Sequence, residues 1–253
     1  MRKLARGSLL AAMVLSGGLV VAAESLDAPA ATDLEAFPDD SVFDQRDPWE
    51  PMNRSVFRFN TALDRNLFRP VARGYRAVMP DPLETGVSNF FSNLGDVTSA
   101  VNNALQGKLN ATLSDASRVI VNSTLGLLGF VDFATKYGDG KLPKRGEDFG
   151  QTLGVWGFDT GPYLVLPLLG PSSVRDFAGW TVDFFALDPL LLIDDDVAFY
   201  SALTVRYIDR RAAYLTVTDL AEQAALDPYV FYREAYFQKR GVRVRDGQPP
   251  ADF

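Results

Sequence analysis

The segment from Glu147 to Asp176 constrains the fold more than any other part of the chain. In it, large apolar residues alternate with glycines and prolines. The glycines and prolines are Gly150, Gly154, Gly157, Gly161, Pro162, Pro167, Gly170 and Pro171. Each proline removes a backbone donor and fixes φ, so the run from Tyr163 to Leu169 cannot continue as one helix. The frequent glycines let another backbone or a ligand approach closely. The segment is therefore either buried in a core or in contact with something apolar outside the chain, such as lipid.

The composition excludes several classes of function. The chain has no cysteine and no histidine, which excludes thiolate nucleophiles, disulfides, imidazole bases and metal sites built from those ligands. A formal net charge of −7 disfavours a general nucleic-acid binder, because phosphate neutralisation needs a basic face. The tight carboxylate cluster at Asp194, Asp195 and Asp196 lacks the spacing of a calcium loop and is typical of a helix start. We predict no enzyme activity, no cofactor and no metal.

The N-terminus is typical of an exported protein. Arg2, Lys3 and Arg6 precede an apolar run, Leu9 to Ala23, that is too short for an ordinary spanning helix. We predict a signal peptide over residues 1–23, with an uncleaved N-terminal anchor as the alternative. Residues 24–46 are rich in Ala, Asp, Pro and Ser, and we predict a disordered tether there.

Apolar residues at helical spacing predict a mainly α fold, one compact multi-helix body with at most a short hairpin near Tyr163 to Leu168. The first predicted helix begins near Met52 and breaks at Arg69 and Pro70. Asp81 is expected to cap a helix, and Asp96 to start another. A last helix from Tyr229 to Arg240 ends before Gly241.

One predicted helix, from about Asn110, carries a clear apolar period. Residues expected on its inward side are Leu113, Ile120, Val121, Leu125 and Leu128. Asp115 and Arg118 are expected to face solvent, because charged side chains are rarely buried.

Three features of the central segment have more than one interpretation. Gly150, Gly154 and Gly157 do not have the order of a phosphate loop, and close helix packing explains them better. Ser172 and Ser173 are predicted to cap a helix, since no base is present to activate a nucleophile. Arg175 and Asp176 are either a solvated surface pair or charges placed for a phospholipid headgroup at the end of an apolar path.

Spaced motifs in a fixed order give the chain a resemblance to a known family. They run from Asp47-Pro48-Trp49-Glu50-Pro51-Met52-Asn53-Arg54 with Phe59-Asn60, through Arg69-Pro70-Val71-Ala72, Ser88-Asn89-Phe90 and Arg118-Val119-Ile120-Val121-Asn122-Ser123, to Phe149-Gly150-Gln151-Thr152-Leu153-Gly154, Gly161-Pro162-Tyr163 and Asp227-Pro228-Tyr229 with Arg233-Glu234-Ala235-Tyr236-Phe237-Gln238. Together they resemble the VacJ/MlaA family of outer-membrane phospholipid-transport proteins. The resemblance covers residues 47–241, and residues 242–253 are predicted to be a polar tail.

The resemblance implies a flat helical ring in the inner leaflet of the outer membrane. Its amphipathic channel would pass mislocalised outer-leaflet phospholipids to a periplasmic lipid carrier, and the protein would associate with a trimeric porin. The residues we predict to line the channel or bind lipid are Phe59, Asn60, Phe149, Gly150, Leu153, Gly154, Gly157, Gly161, Pro162, Tyr163, Arg175 and Asp176. The alternative function is a porin-binding structural adaptor that conducts no lipid.

The chain departs from the family in one respect. Members usually carry a cysteine that becomes the acylated N-terminus, whereas here Leu15-Ser16-Gly17 is followed by Gly18 and no cysteine occurs anywhere. We therefore predict a protein that is not lipidated. Its attachment would come from the folded body, from a porin or from an uncleaved signal.

Overall fold

The structure, a computed structural model, describes residues 46–248. Within that range the chain is mainly helical and contains a two-stranded antiparallel sheet, which confirms the predicted fold class. The predicted signal peptide, the tether up to residue 45 and the last five residues lie outside the described residues.

The elements follow one another along the chain with short connections. They are α1 (Glu50–Leu63), a π-helical segment (Asp64–Phe68), α2 (Arg69–Val78), α3 (Asp81–Leu105), α4 (Leu109–Thr124), α5 (Phe133–Tyr137), α6 (Phe149–Val155), β1 (Tyr163–Leu166), β2 (Gly170–Ser173), α7 (Val174–Val182), a second π-helical segment (Asp183–Leu187), a 3-10 turn (Pro189–Leu192), α8 (Asp196–Ala213), α9 (Leu215–Ala224) and α10 (Pro228–Val244).

The predicted break at Arg69 and Pro70 is wrong. The helical backbone continues from α1 into α2 through the π-helical segment Asp64–Phe68, in which the N–H of Arg69 donates to the carbonyl of Asp64, five residues earlier. This wider turn ends immediately before Pro70, which has no N–H to donate. Widening the turn lets the helix pass a proline that would otherwise stop it.

The helix predicted to start at Asp81 does begin there, but the predicted capping role of Asp81 and the predicted helix start at Asp96 are wrong. The cap of α3 is Pro80, and Asp81 lies inside the helix and makes no capping hydrogen bond. Asp96 starts no new helix, because α3 runs unbroken from Asp81 to Leu105. Its side chain is buried and pairs with an arginine, so the acidic residue serves tertiary packing here.

The predicted start of the last helix is correct, but the helix extends beyond its predicted end. The carboxylate of Asp227 accepts from the backbone N–H of Tyr229 at 2.9 Å and caps α10 as predicted. The helix then continues through Gly241 to Val244, so the predicted stop is premature.

The described chain divides into two compact units. The first contains the residues up to Val71, Thr160–Val174 and those from Ala213 onward. Its core is an aromatic cluster in which the ring of Tyr163 lies 6.2 Å from that of Tyr229 and 5.7 Å from that of Tyr236. Such tilted and edge-on aromatic contacts are favourable beyond the area they bury.

The second unit contains Ala72–Asp159 and Arg175–Ala212, and its centre is polar. Arg118 on α4 is 1% exposed and donates through Nε to Asp96 at 3.1 Å and through Nη2 to Asp132 at 2.9 Å. Its Nη1 donates to the hydroxyl of Thr135 and the carbonyl of Leu142. Burial raises the pKa of Asp96 even though Arg118 and Lys144 lower it. All three guanidinium nitrogens of Arg118 thus donate hydrogen bonds, and these bonds join α3, α4, α5 and the loop after α5.

The predicted orientation of α4 is reversed. Leu113 and Ile120 on α4 are 66% and 63% exposed, and Leu125 and Leu128 after its end are 63% and 69% exposed. Val121 is half-buried, whereas Asp115 and Arg118 are each 1% exposed. The prediction assumes that water surrounds the protein, so that apolar side chains lie inside. Here α3 and α4 meet through polar side chains, and Asp115 accepts from Ser99 at 2.6 Å and from Asn103 at 2.8 Å.

A substitution at Arg118 should test which side of α4 holds the second unit together. Arg118→Met should lower the free energy of unfolding by about 3–5 kcal/mol, because the buried Asp96 loses its hydrogen-bonded guanidinium partner and keeps only Lys144, 3.7 Å away. Ile120→Ser, on the exposed side, should change it by only about 0.5 kcal/mol. Chemical denaturation of detergent-purified protein followed by circular dichroism measures both values. A larger loss for Ile120→Ser than for Arg118→Met would contradict the reversed orientation.

Asp132 should make this unit sensitive to acid. Burial raises its pKa, but hydrogen bonds from Thr135 and Asn122 and the charge of Arg118 outweigh burial and lower it from 3.8 to about 2. A lowered pKa in the folded state stabilises the fold above the unfolded value, and this stabilisation is lost as pH falls toward 2. Between pH 4 and pH 2, the unfolding free energy of the wild type should fall by roughly 2 kcal/mol more than that of Asp132→Asn. The same substitution at the exposed Asp139 is the control and should leave the pH profile unchanged.

Candidate functional site

The residues predicted to contact lipid fall in both compact units. The first unit contains Phe59, Asn60, Gly161, Pro162 and Tyr163. The second unit contains Phe149, Gly150, Leu153, Gly154, Gly157, Arg175 and Asp176. Their contact with lipid stays a prediction, and their surroundings are described unit by unit.

In the first unit, two asparagines of α1 hold the hairpin formed by β1 and β2. The side-chain amide of Asn53 donates to the carbonyl of Tyr163 at 3.1 Å and accepts from the N–H of Val165 at 2.8 Å. Asn60, seven residues later, donates to the carbonyl of Leu166 at 2.9 Å and accepts from the N–H of Leu168 at 2.7 Å. Each amide pairs with β1 as a neighbouring strand would. Both functional ends of Asn60 are thus engaged in fixing the hairpin.

Tyr163 is fully buried at the start of β1. Its hydroxyl has no hydrogen-bond partner among the described residues, and burial, with a smaller contribution from the charge of Asp47, raises its pKa. The carboxylate of Asp47 is itself buried and accepts from Asn53, from the hydroxyl of Tyr229 and from Arg233. This polar group lies beside the aromatic core and ties the beginning of the described chain to α10.

In the second unit, the helix α6 begins and ends at residues suited to those places. Asp148 caps it by accepting from the N–H of Gln151 at 2.9 Å. Gly157 follows its last turn with a φ of 91°, a conformation that side chains rarely adopt, and an added Cβ there would meet nothing within 4 Å. Gly157 is therefore required by the turn, whereas close helix packing does not require it.

Gly150 has the close contact that the sequence suggests for this group of glycines. A Cβ built on Gly179 of α7 would lie 2.2 Å from the backbone nitrogen of Gly150 and 2.5 Å from its Cα. The backbones of α6 and α7 therefore touch at two glycines, and no side chain fits between them.

Arg175 and Asp176 at the start of α7 are buried, which rules out a solvated surface pair. Each is 8% exposed, and Nε of Arg175 donates to Asp176 at 3.0 Å. Nη1 of Arg175 donates to the carbonyl of Phe158 at 3.3 Å. The remaining nitrogen, Nη2, is buried without a partner among the described residues. An unpaired guanidinium donor in such a place raises the free energy of the fold and is suited to an anion.

A chain of buried and half-buried polar side chains, none of them among the predicted site residues, links α3 to α6 and to the second π-helical segment. Gln106 donates to Glu147 at 2.9 Å and to Thr152 at 3.1 Å, and Thr152 donates to Asn102 at 2.8 Å. Asn102 in turn donates to Asp183 at 2.9 Å. We call this group the polar layer.

The sequence does carry a signal for the polar layer. Polar residues recur at helical spacing along α3 at Asn93, Asp96, Ser99, Asn102, Asn103 and Gln106. Interpreted with water outside, this period predicts an exposed face, whereas it forms the buried one. The side-chain oxygens of Asn103 and Gln106 are buried without a donor among the described residues, so acceptors remain available there.

Comparisons with known proteins agree with one another. The family model described as MlaA lipoprotein matches residues 45–243. The chain is 35% identical over 203 residues to the intermembrane phospholipid transport system lipoprotein MlaA of Escherichia coli, covering 80% of each chain. It is 31% identical over 208 residues to the protein of the same name from Haemophilus influenzae, covering 82% of each.

An uncharacterised protein and a solved structure extend these similarities. A protein of Rickettsia felis is 36% identical over 207 residues, covering 82% of this chain and 80% of its own. A structure described as the structural basis for maintenance of bacterial outer membrane lipid asymmetry aligns with a TM-score of 0.68 at 34% identity. It covers 78% of this chain and 98% of its own.

The contact between Gly150 and Gly179 predicts a sharp difference between two glycine substitutions. Gly179→Ala should lower the free energy of unfolding by about 1–3 kcal/mol, because the new methyl group would overlap backbone atoms that cannot move without shifting α6. Gly95→Ala, in the interior of α3 with nothing within 4 Å, should raise it by about 0.5–1 kcal/mol through helix propensity. Thermal unfolding of both variants measures the difference. Equal stability would mean that α6 and α7 do not touch at these glycines.

Proposed function

The chain belongs to the MlaA lipoprotein family, and we propose that it removes mislocalised phospholipids from the outer leaflet of the outer membrane and passes them to a periplasmic carrier. Family membership establishes a place in intermembrane phospholipid transport and lipid asymmetry. The step performed and its direction are our proposal. The observation that carries it is the reversed polarity of the second unit, whose centre is polar and whose exposed side chains include many leucines.

The exposed side of the second unit suits contact with acyl chains. Large apolar side chains around α4 that are more than half exposed are Leu109, Leu113, Ile120, Leu125, Leu127 and Leu128. In water such a surface raises the free energy of the protein, and patches of this kind mark membrane or protein contacts. Against acyl chains the same side chains carry no such cost. No helix among residues 46–248 is long and apolar enough to cross a membrane, so contact along the helix sides is the form that we propose.

The polar interior suits the other half of a phospholipid. A headgroup leaving water loses hydration of its phosphate, and only hydrogen bonds or opposite charge can replace it. Nη2 of Arg175 is a buried donor without a partner, and we propose that it binds the phosphate. The unpaired oxygens of Asn103 and Gln106 in and beside the polar layer would accept from hydroxyl or ammonium groups.

Transport by this route requires no change of bond. Asp176 neutralises Arg175 in the absence of lipid, and a phosphate would share that guanidinium during passage. A headgroup held by few contacts can leave again, as a transport step requires. We propose that Phe149, Leu153 and Gly154, half-buried on α6, contact the acyl chains during passage.

The partners that we propose are a trimeric porin, a periplasmic carrier of the Mla system and the phospholipid itself. The relatives are named as parts of a transport system, so a carrier on the periplasmic side is a natural recipient. The sequence contains no cysteine, and we propose that attachment does not depend on an acylated N-terminal cysteine. We propose attachment at the periplasmic leaflet of the outer membrane through the folded body.

A complementation experiment tests the function and the role of Arg175 together. A deletion strain should accumulate surface phospholipid and become sensitive to detergent, and the wild-type gene should restore both. Arg175→Gln should reduce the rate of phospholipid removal by about tenfold or more, since it removes a charge-assisted hydrogen bond. Arg175→Lys keeps the charge and should retain more activity than Arg175→Gln.

Controls separate transport from folding. Arg210→Gln removes an exposed charge from α8 of the same unit and should leave the rate unchanged. Immunoblots confirm equal amounts of each variant in the membrane fraction. Unchanged surface phospholipid in the deletion strain would exclude the transport function and favour the porin-binding adaptor. Normal removal by an abundant Arg175→Gln protein would exclude Arg175 from headgroup binding.

A further inference from the structure

Exposed apolar side chains follow one line along the helices of the first unit. Met52, Phe59, Leu67 and Val71 are 49%, 54%, 49% and 43% exposed, at spacings of seven, eight and four residues. Spacings of seven and four keep residues on one face of an α-helix. The spacing of eight does so here because the π-helical segment Asp64–Phe68 adds a residue to the turn between Phe59 and Leu67. The distortion thus keeps the apolar line continuous.

Two arginines form a second line beside it. Arg58 and Arg65 are exposed and seven residues apart, and Arg58 lies about 100° around the helix from its neighbour Phe59. The buried side of the same helices carries Asn53, Asn60 and Asp64. The exposed side therefore has an apolar flank and a basic flank.

The charge of this stretch is opposite to that of the chain. Residues 55–78 contain five arginines and one acidic residue, Asp64. Asp64 and Arg69 are buried and lie within 3.5 Å of each other, and Arg76 lies 3.6 Å from Glu84. The exposed charges of the stretch are therefore arginines, whereas the whole chain carries a formal net charge of −7. An anionic surface would therefore repel the chain as a whole and attract this stretch. The local charge selects both the kind of partner and the side that faces it.

We propose that Met52, Arg58, Phe59, Arg65, Leu67 and Val71, here called the arginine face, bind a surface of anionic phospholipid headgroups. A helix at a membrane boundary inserts phenylalanine and leucine below the headgroups while its arginines pair with their phosphates. A protein interface usually has an apolar centre with charges around its rim, whereas here the two kinds of residue occupy separate flanks. The arrangement therefore favours a lipid surface over an acidic protein.

This inference rests on the proposed attachment through the folded body and is independent of lipid passage. It gives Phe59, which the sequence places in the predicted lipid-binding set, a contact with the bilayer surface. It also supplies a means of attachment that needs no cysteine. A chain that binds anionic vesicles and moves no lipid would agree with this inference. A chain that moves lipid but does not bind anionic vesicles would contradict it.

Vesicle flotation with the full chain tests the proposal. Vesicles of phosphatidylcholine alone are compared with vesicles containing a third phosphatidylglycerol, at low and high sodium chloride. The wild-type chain should bind the anionic vesicles more tightly, and high salt should weaken this binding. The double variant Arg58→Gln/Arg65→Gln should lose about fivefold per arginine, or roughly 25-fold in affinity for anionic vesicles. Phe59→Ser should weaken binding to both kinds of vesicle.

A matched control removes the same charge elsewhere. Lys136→Gln/Lys141→Gln alters two exposed lysines in and after α5 and should bind as the wild type does. All variants have the same N-terminal segment as the wild type, so that segment contributes equally to each measurement. Circular dichroism confirms that each variant is folded. Equal binding to neutral and anionic vesicles, an unaffected arginine double variant, or an equal loss in the lysine control would each overturn the proposal.

Discussion

The guanidinium of Arg118 is the contact on which the second unit depends. It is buried, and its nitrogens donate to two carboxylates, a hydroxyl and a carbonyl on separate elements. A buried charge raises the free energy of the fold unless it is paired and hydrogen-bonded, so these elements meet through their polar sides. The leucines of α4 are left facing outward as a direct result. The hydrogen bonds of this one guanidinium therefore help determine which side of the unit is exposed.

Local signals in the sequence predict much of the fold. Helical periods, the cap at Asp227 and the interrupted run near Tyr163 all lead to the elements observed. The orientation of α4 could not be predicted, because a period shows that a helix has two sides and does not show which one is buried. The usual rule supplies that choice by assuming water outside. The prediction of a helix break at Pro70 is wrong for another reason, since a π-turn has no established sequence signal.

For the candidate site too, features that depend on neighbouring residues could be predicted, whereas features that depend on contacts between distant elements could not. The sequence identifies the segment containing Gly150 and Arg175, since its composition is unusual. It could not show that Gly150 touches Gly179 or that Arg175 is buried, because both depend on packing between elements. The amides of Asn53 and Asn60 illustrate the same limit: their seven-residue spacing is visible, but their partner strand lies more than a hundred residues away.

The contacts of Asp47 determine when folding of the first unit can be completed during synthesis. Its carboxylate pairs with Tyr229 and Arg233, 182 and 186 residues later. Such distant contacts carry the entropy of closing a long loop, and they cannot form until the last helix has been made. The first unit must therefore wait for nearly the whole chain to leave the ribosome. A truncation before α10 would leave Asp47 without these partners, so quality-control proteases would meet an unfinished first unit in every shortened product.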